Sequence, residues 1–180
     1  MKIALVGKAR SGKDTVADFL VGQYGFTEYK FSKGIRDVIN LVRGEDAHKN
    51  RRELQEVGQG LRRALGEDIW VNYTLTTISQ DSHVVISDCR QPNEAKRLRS
   101  EGYLLVGVES DEEVRVQRML AAGDTFTRED LNHETEQISI ECDKIINNNG
   151  SLEDLYKQVR ELVANYTHTT VKTESGVGDG

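Results

Sequence analysis

Residues 1–19 read MKIALVGKARSGKDTVADF, and the order of residue types in this stretch decides the fold. Ile3–Val6 is a short apolar run suited to a buried strand, and it stops at Gly7. The next residues, GKARSGKD, match the pattern G-x-x-x-x-G-K. Val16, Ala17, Phe19 and Leu20 then recur with helical spacing. Strand, glycine-rich loop and helix, in that order, is the context in which this pattern binds phosphate. Glycines let backbone N–H groups crowd round phosphate oxygens where a Cβ would obstruct them. The helix adds its positive N-terminal end, and Lys13 reaches the β- and γ-phosphates. The stretch predicts a nucleoside triphosphate site lined by Gly7, Ala9, Arg10, Ser11, Gly12, Lys13, Asp14 and Thr15.

The Ser or Thr that usually follows the lysine is Asp14 here. The hydroxyl that helps place Mg²⁺ is therefore expected from Thr15, directly or through water. Asp14 alternatively caps the helix, where a carboxylate is favoured.

At 180 residues the chain is long enough for one domain with a core. A net charge of −6 argues against nonspecific nucleic-acid binding. Cys89 and Cys142 lack metal spacing and read as reduced thiols without a redox role. Ile3–Val6 is shorter than the apolar core of a secretory leader, and no run approaches membrane-spanning length. A cytoplasmic protein without membrane contact is expected. Residues 166–180 are polar, glycine-rich and aperiodic, which predicts a flexible tail behind a single domain over 1–165.

Further along, Phe26–Phe31 alternates like a strand, and Ser32 is placed to cap a helix running to Arg43. Arg51–Leu65 is helical, with Leu54, Val57, Leu61 and Leu65 on one stripe and Arg52, Gln55, Gln59 and Arg63 on another. The polar stripe is either a solvated face or a surface able to hold a phosphate and a base edge together. A helix through about Ser79 carries Trp70, read mainly as a core residue and secondarily as a ligand contact. His83–Ser87 is a third strand, apolar enough to be central, that delivers Asp88 and Arg90 at its carboxyl end. Ligands of open α/β sheets collect there. Asp88 is thus placed to hold Mg²⁺-bound water or a substrate hydroxyl, or else to cap a helix. Pro92 suits the first turn of the next helix. A fourth strand over Tyr103–Val108 leads into a helix carrying Arg115 and Arg118 on one face. A polar interruption over Gly123–His133, a helix to Glu141, a fifth strand over Lys144–Asn147 and an amphipathic helix over Ser151–Val163 complete the order. Alternating strands and helices predict a three-layer α/β/α fold, with a five-stranded parallel sheet between helices.

The segments GKARSGKDTVADFL, RRELQEVGQGLRRALGEDIWV, ISDCRQPNEA and NHETE occur in an order that resembles the phage-type deoxynucleoside monophosphate kinases, adenylate-kinase-like P-loop kinases. The similarity spans Met1 to about Leu162. It implies substrate-binding helices at about 32–79 and a short lid at about 119–133. It implies transfer of the γ-phosphoryl of ATP, with Mg²⁺, to a nucleoside monophosphate. Ser32, Lys33, Arg36, Gln55, Gln59, Arg63 and Trp70 would face the acceptor nucleotide, with Asp88 and Arg90 between the two substrates. Arg118 would meet the ATP from the lid side and Arg128 would complete the catalytic set of Lys13, Asp88 and Arg90. Thr15 and Asp88 would hold the metal, His133 reads as a hydrogen-bonding residue rather than a base, and a homodimer fits the family.

Two other readings remain open. A dephospho-coenzyme A or phosphomevalonate type of kinase would share the scaffold and differ in the acceptor pocket. A GTP-dependent switch would need N-K-x-D and D-x-x-G, and neither is found.

Overall fold

The computed structural model describes residues 1–44, 51–78, 83–124 and 139–174. Five strands form one sheet: β1 (Lys2–Val6), β2 (Thr27–Tyr29), β3 (Val84–Cys89), β4 (Leu104–Glu109) and β5 (Lys144–Asn147). Their spatial order is β2-β3-β1-β4-β5, and every pairing is parallel. Parallel neighbours need crossovers, and the described helices supply them. These are α1 (Lys13–Tyr24), α2 (Phe31–Arg43), α3 (Arg51–Leu65), α4 (Ile69–Thr77), α5 (Pro92–Ser100), α6 (Glu112–Ala121) and α7 (Leu152–Glu174). The expected three-layer α/β/α fold is the observed one.

Strand alternation divides the interior into two cores. Ile3 and Leu5 point to one face, where Val16 and Leu20 of α1 and Leu155 and Val159 of α7 cover them. Ala4 and Val6 point to the other, beneath Ile35 and Ile39 of α2, Val71 of α4 and Leu98 of α5. Val84, Val85 and Ile86 have no exposed surface, as a central strand covered on both faces requires. Each such side chain contributes roughly 1.5–3 kcal/mol of burial. The strand ends that carry the loops are therefore anchored.

Local differences from expectation have physical causes. Phe31 opens α2 instead of closing β2, because its ring belongs to the second core. On α3, Leu65 is largely exposed while Leu54, Val57 and Leu61 pack inward, so the apolar stripe ends one turn early. Residues 139–141 are not helical, and the rest of the helix expected there lies outside the described residues. The tail expected from residue 166 gives way to helix as far as Glu174. Once α7 is nucleated by its packed turns, adding residues costs little.

Candidate active site

The carboxyl end of β1 turns into the loop Gly7–Gly12, and α1 begins at Lys13. The loop's carbonyls are held by side chains. The Lys13 ammonium donates to Gly7 O at 2.7 Å and Lys8 O at 2.8 Å. Arg115 Nη1 donates to Ala9 O and Arg118 Nη1 to Arg10 O, both at 3.3 Å. Asn148 Nδ2 donates to Ser11 O at 2.8 Å. With its acceptors occupied, the loop has N–H groups left to offer an anion, which suits phosphate. No side chain caps α1, so its N-terminal turn faces the same space.

Two positions show why the loop needs glycine. Gly12 has φ 105°, and a Cβ there would lie 2.1 Å from Asn148 Nδ2. At Gly7 a Cβ would approach Val108 O to 2.5 Å. The loop is thus pressed against β4 and the end of β5. Arg10, left-handed at φ 59°, pairs through its guanidinium with Asp124.

Asp14 is not a cap. Its carboxylate pairs with Lys30 at 3.0 Å, and Lys30 also meets Glu28 at 3.1 Å. Thr15 is half-buried one residue further on.

The register of β1 against β3 aligns Val6 with Cys89, which sets Asp88 and Arg90 beside Gly7. Asp88 uses both oxygens to fasten α2: Oδ1 accepts the Phe31 N–H at 2.8 Å and Oδ2 the Ser32 N–H at 2.9 Å. Ser32 is therefore capped rather than capping, and the α2 N-cap residue Lys30 makes no side-chain cap of its own. A carboxylate has about four acceptor positions, so Asp88 retains capacity for water or a metal-bound water.

On the helices, Lys33 is exposed and paired with Asp37 at 2.7 Å, and Arg36 is half-buried. Gln55, Gln59 and Arg63 share the exposed side of α3. Their neighbour Arg62 turns inward to Glu94 at 2.6 Å. Trp70 is 2% exposed. Its indole N–H donates to Gly58 O at 3.0 Å, and Gly34 and Gly58 lie against its ring. Its role as a substrate contact is withdrawn, because the ring is spent on joining α2, α3 and α4. Arg128 and His133, with most of the expected lid, lie outside the described residues.

Arg115 and Asn148 were not among the residues singled out for the site, yet both hold the loop. Arg115 is 2% exposed. Asn148 also donates its backbone N–H to Glu109 O at 2.7 Å. Its own carbonyl accepts Arg118 Nη2 at 2.9 Å. The signals are the shared face of Arg115 and Arg118 and the NNN run, Asn147–Asn149, that closes β5. Burial pushes the Cys89 thiol well up, with Glu94 and Asp88 adding to the effect, so it is an inert core residue. The Cys142 thiol is raised too, mainly by burial.

The donor set fits Mg²⁺ held chiefly by nucleotide phosphates. Thr15, Asp14 and Asp88 offer hard oxygens, and no group of three or more His, Cys, Asp or Glu among the described residues forms a protein-only metal cage.

A phosphate-binding loop at the carboxyl ends of a parallel sheet in this strand order defines a P-loop protein. The chain belongs to the AAA-domain family, whose profile matches residues 3–139. Solved structures share the fold. TT1252 from Thermus thermophilus is similar at TM-score 0.61 and 19% identity, covering 92% of this chain and 97% of that one. A shikimate kinase from Aquifex aeolicus gives 0.54 and 18%, covering 93% and 98%. A gluconokinase from Sinorhizobium meliloti gives 0.61 and 15%, covering 96% of each. The fold is thus that of small-molecule P-loop kinases. Comparison with curated proteins finds no match.

Proposed function

We propose that this chain is an ATP-dependent kinase that passes the γ-phosphoryl group to the phosphate of a (deoxy)nucleoside monophosphate, serving deoxynucleotide supply. The observation that carries the reading is the adjacency of two anion-directed elements. The Lys13 loop and the Asp88–Arg90 turn leave neighbouring strands side by side, and Asp88 also seats α2, which brings Arg36. Two cations on the acceptor side suit an acceptor that already bears a phosphate.

In this reading Lys13 and the loop N–H groups hold the ATP phosphates. Arg36 and Arg90 hold the acceptor phosphate, whose oxygen attacks the γ-phosphorus as the bond to ADP breaks. Such an oxygen needs no dedicated base, so the protein's work is alignment and charge neutralisation. Mg²⁺, when bound with ATP, would neutralise phosphate charge, and Thr15 and Asp88 would hold it, directly or through water. Arg118, Arg128 and the segment around 119–133 would exclude water, since ATP is otherwise open to hydrolysis.

The test is coupled ATP consumption across ribo- and deoxynucleoside monophosphates, with and without Mg²⁺. Strong stimulation by one or a few monophosphates is expected. Stimulation only by shikimate, gluconate or coenzyme-type acceptors would overturn the acceptor and keep the kinase. Nucleotide binding with no transfer to any acceptor would point to a regulatory module.

A further inference from the structure

Among the described residues Glu94 is the only buried carboxylate, at 2% exposure. Its Oε1 accepts Arg62 Nη2 from α3 at 2.6 Å. Its Oε2 accepts the backbone N–H groups of Arg90 at 2.9 Å and Gln91 at 3.0 Å. The Gln91 bond belongs to the capping box that starts α5. The bonds to Arg62 and Arg90 exceed what that cap requires. Arg62 is itself mostly buried, and its Nε has no hydrogen-bond partner among the described residues. An ion pair of this kind adds little stability over apolar residues of similar size, and an unmet buried donor is a cost. What the pair supplies is geometry. The turn 88–91 is fastened at one end to α2 through Asp88 and at the other to α3 through Glu94 and Arg62.

Resting on the kinase reading, we propose that Glu94, gripped by Arg62, is the positioning residue of the acceptor side. It sets the Arg90 turn against α3, so that the cation meant for the acceptor phosphate and the helix beside it keep one spacing. It touches no substrate and acts only through Arg90.

Glu94→Gln preserves size but replaces one acceptor oxygen with a donor, so either Arg62 or the turn loses its partner. Arg62→Met removes the grip, and Arg62→Lys returns the charge without the fork. In Glu94→Gln and Arg62→Met the acceptor KM should rise on the order of tenfold or more, as small misplacements at such sites do. The KM for ATP should stay within about twofold, since uniform damage would move both constants. Arg62→Lys should recover part of the loss. Amide hydrogen exchange gives a readout that needs no turnover: the Arg90 and Gln91 N–H groups should exchange faster while those of β1 do not. Should Glu94→Gln fail to fold, the two Arg62 variants carry the same test.

Unchanged exchange at Arg90 and Gln91 would overturn the proposal. So would a parallel rise in both KM values, which marks a merely structural pair. If wild-type protein turns over with no acceptor at all, the kinase reading fails by itself, and exchange still decides whether Glu94 sets the turn.

Discussion

The loop Gly7–Gly12 and the helices α2 and α3 are held in different ways. The loop's carbonyls from Gly7 to Ser11 are tied by Lys13, Arg115, Arg118 and Asn148, residues drawn from α1, α6 and the end of β5. The two helices are held by side-chain joints: Asp88 beneath α2, Arg43–Glu53 between α2 and α3, Trp70 and Tyr73 reaching them from α4, and Arg62–Glu94 behind α3. Their outer polar residues, Lys33, Gln55, Gln59 and Arg63, are exposed. The loop is preorganised by crosslinks to its own backbone, whereas α2 and α3 are placed through their side chains; in the proposed kinase reading these would be the donor and acceptor sides.

Substitutions can break this contrast, and the largest effect is expected on the tied side. Lys13→Met should lower phosphoryl transfer by at least ~10²- to 10³-fold, about 3–4 kcal/mol, the cost of one well-placed charge donor. Its unfolding midpoint should fall only modestly, because Gly7 O and Lys8 O lose a donor, and single-turnover kinetics beside thermal unfolding check both halves of the claim. Retained activity would remove the loop from the mechanism.

Gly12→Ala comes next, because it forces a Cβ onto Asn148 at a left-handed φ. It should destabilise the fold by about 1–3 kcal/mol and weaken ADP binding. Denaturant titration and calorimetry would show both. Pairing it with Asn148→Ala should relieve the steric part and leave the φ strain.

On the other side, Arg36→Ala should raise the acceptor KM on the order of tenfold, with the KM for ATP little changed. Steady-state kinetics with each substrate varied in turn separates the two. An equal loss for ATP would put Arg36 on the donor side and erase the contrast.

The smallest effect is expected at the joint. Trp70→Phe removes the indole N–H that bonds Gly58 O, along with part of a buried ring, and should cost about 1–3 kcal/mol of stability. Neither KM should move beyond what altered stability explains. A selective change in acceptor KM would restore Trp70 as a substrate contact.

The same contrast explains what could be read from residue order. Strand, glycine loop and helix are local, and Gly7, Gly12 and Lys13 are demanded by chemistry within a few residues of one another. Fold class and donor loop were therefore legible, as was Pro92 opening α5. Arg62 and Arg63 have the same chemistry and adjacent numbers. Periodicity put Arg63 on a polar stripe and the family resemblance turned it toward the acceptor, while packing turned Arg62 inward to Glu94. Asp88 read first as a holder of Mg²⁺-bound water or a substrate hydroxyl, and secondarily as a helix cap. Only the register of β3 against β1 and the arrival of α2 overhead made it the anchor of another helix. Arg115 and Asn148 lie more than a hundred residues from the loop they hold.

By itself, then, the sequence determined a parallel α/β sheet with a phosphate loop at Gly7–Lys13, because short-range sterics and hydrophobic period are written in consecutive residues. Tertiary structure decided which cations support the loop, which carboxylate anchors a helix, and that Trp70 is core. Those outcomes depend on which distant side chains burial forces together, and an unpartnered charge there is too costly to leave.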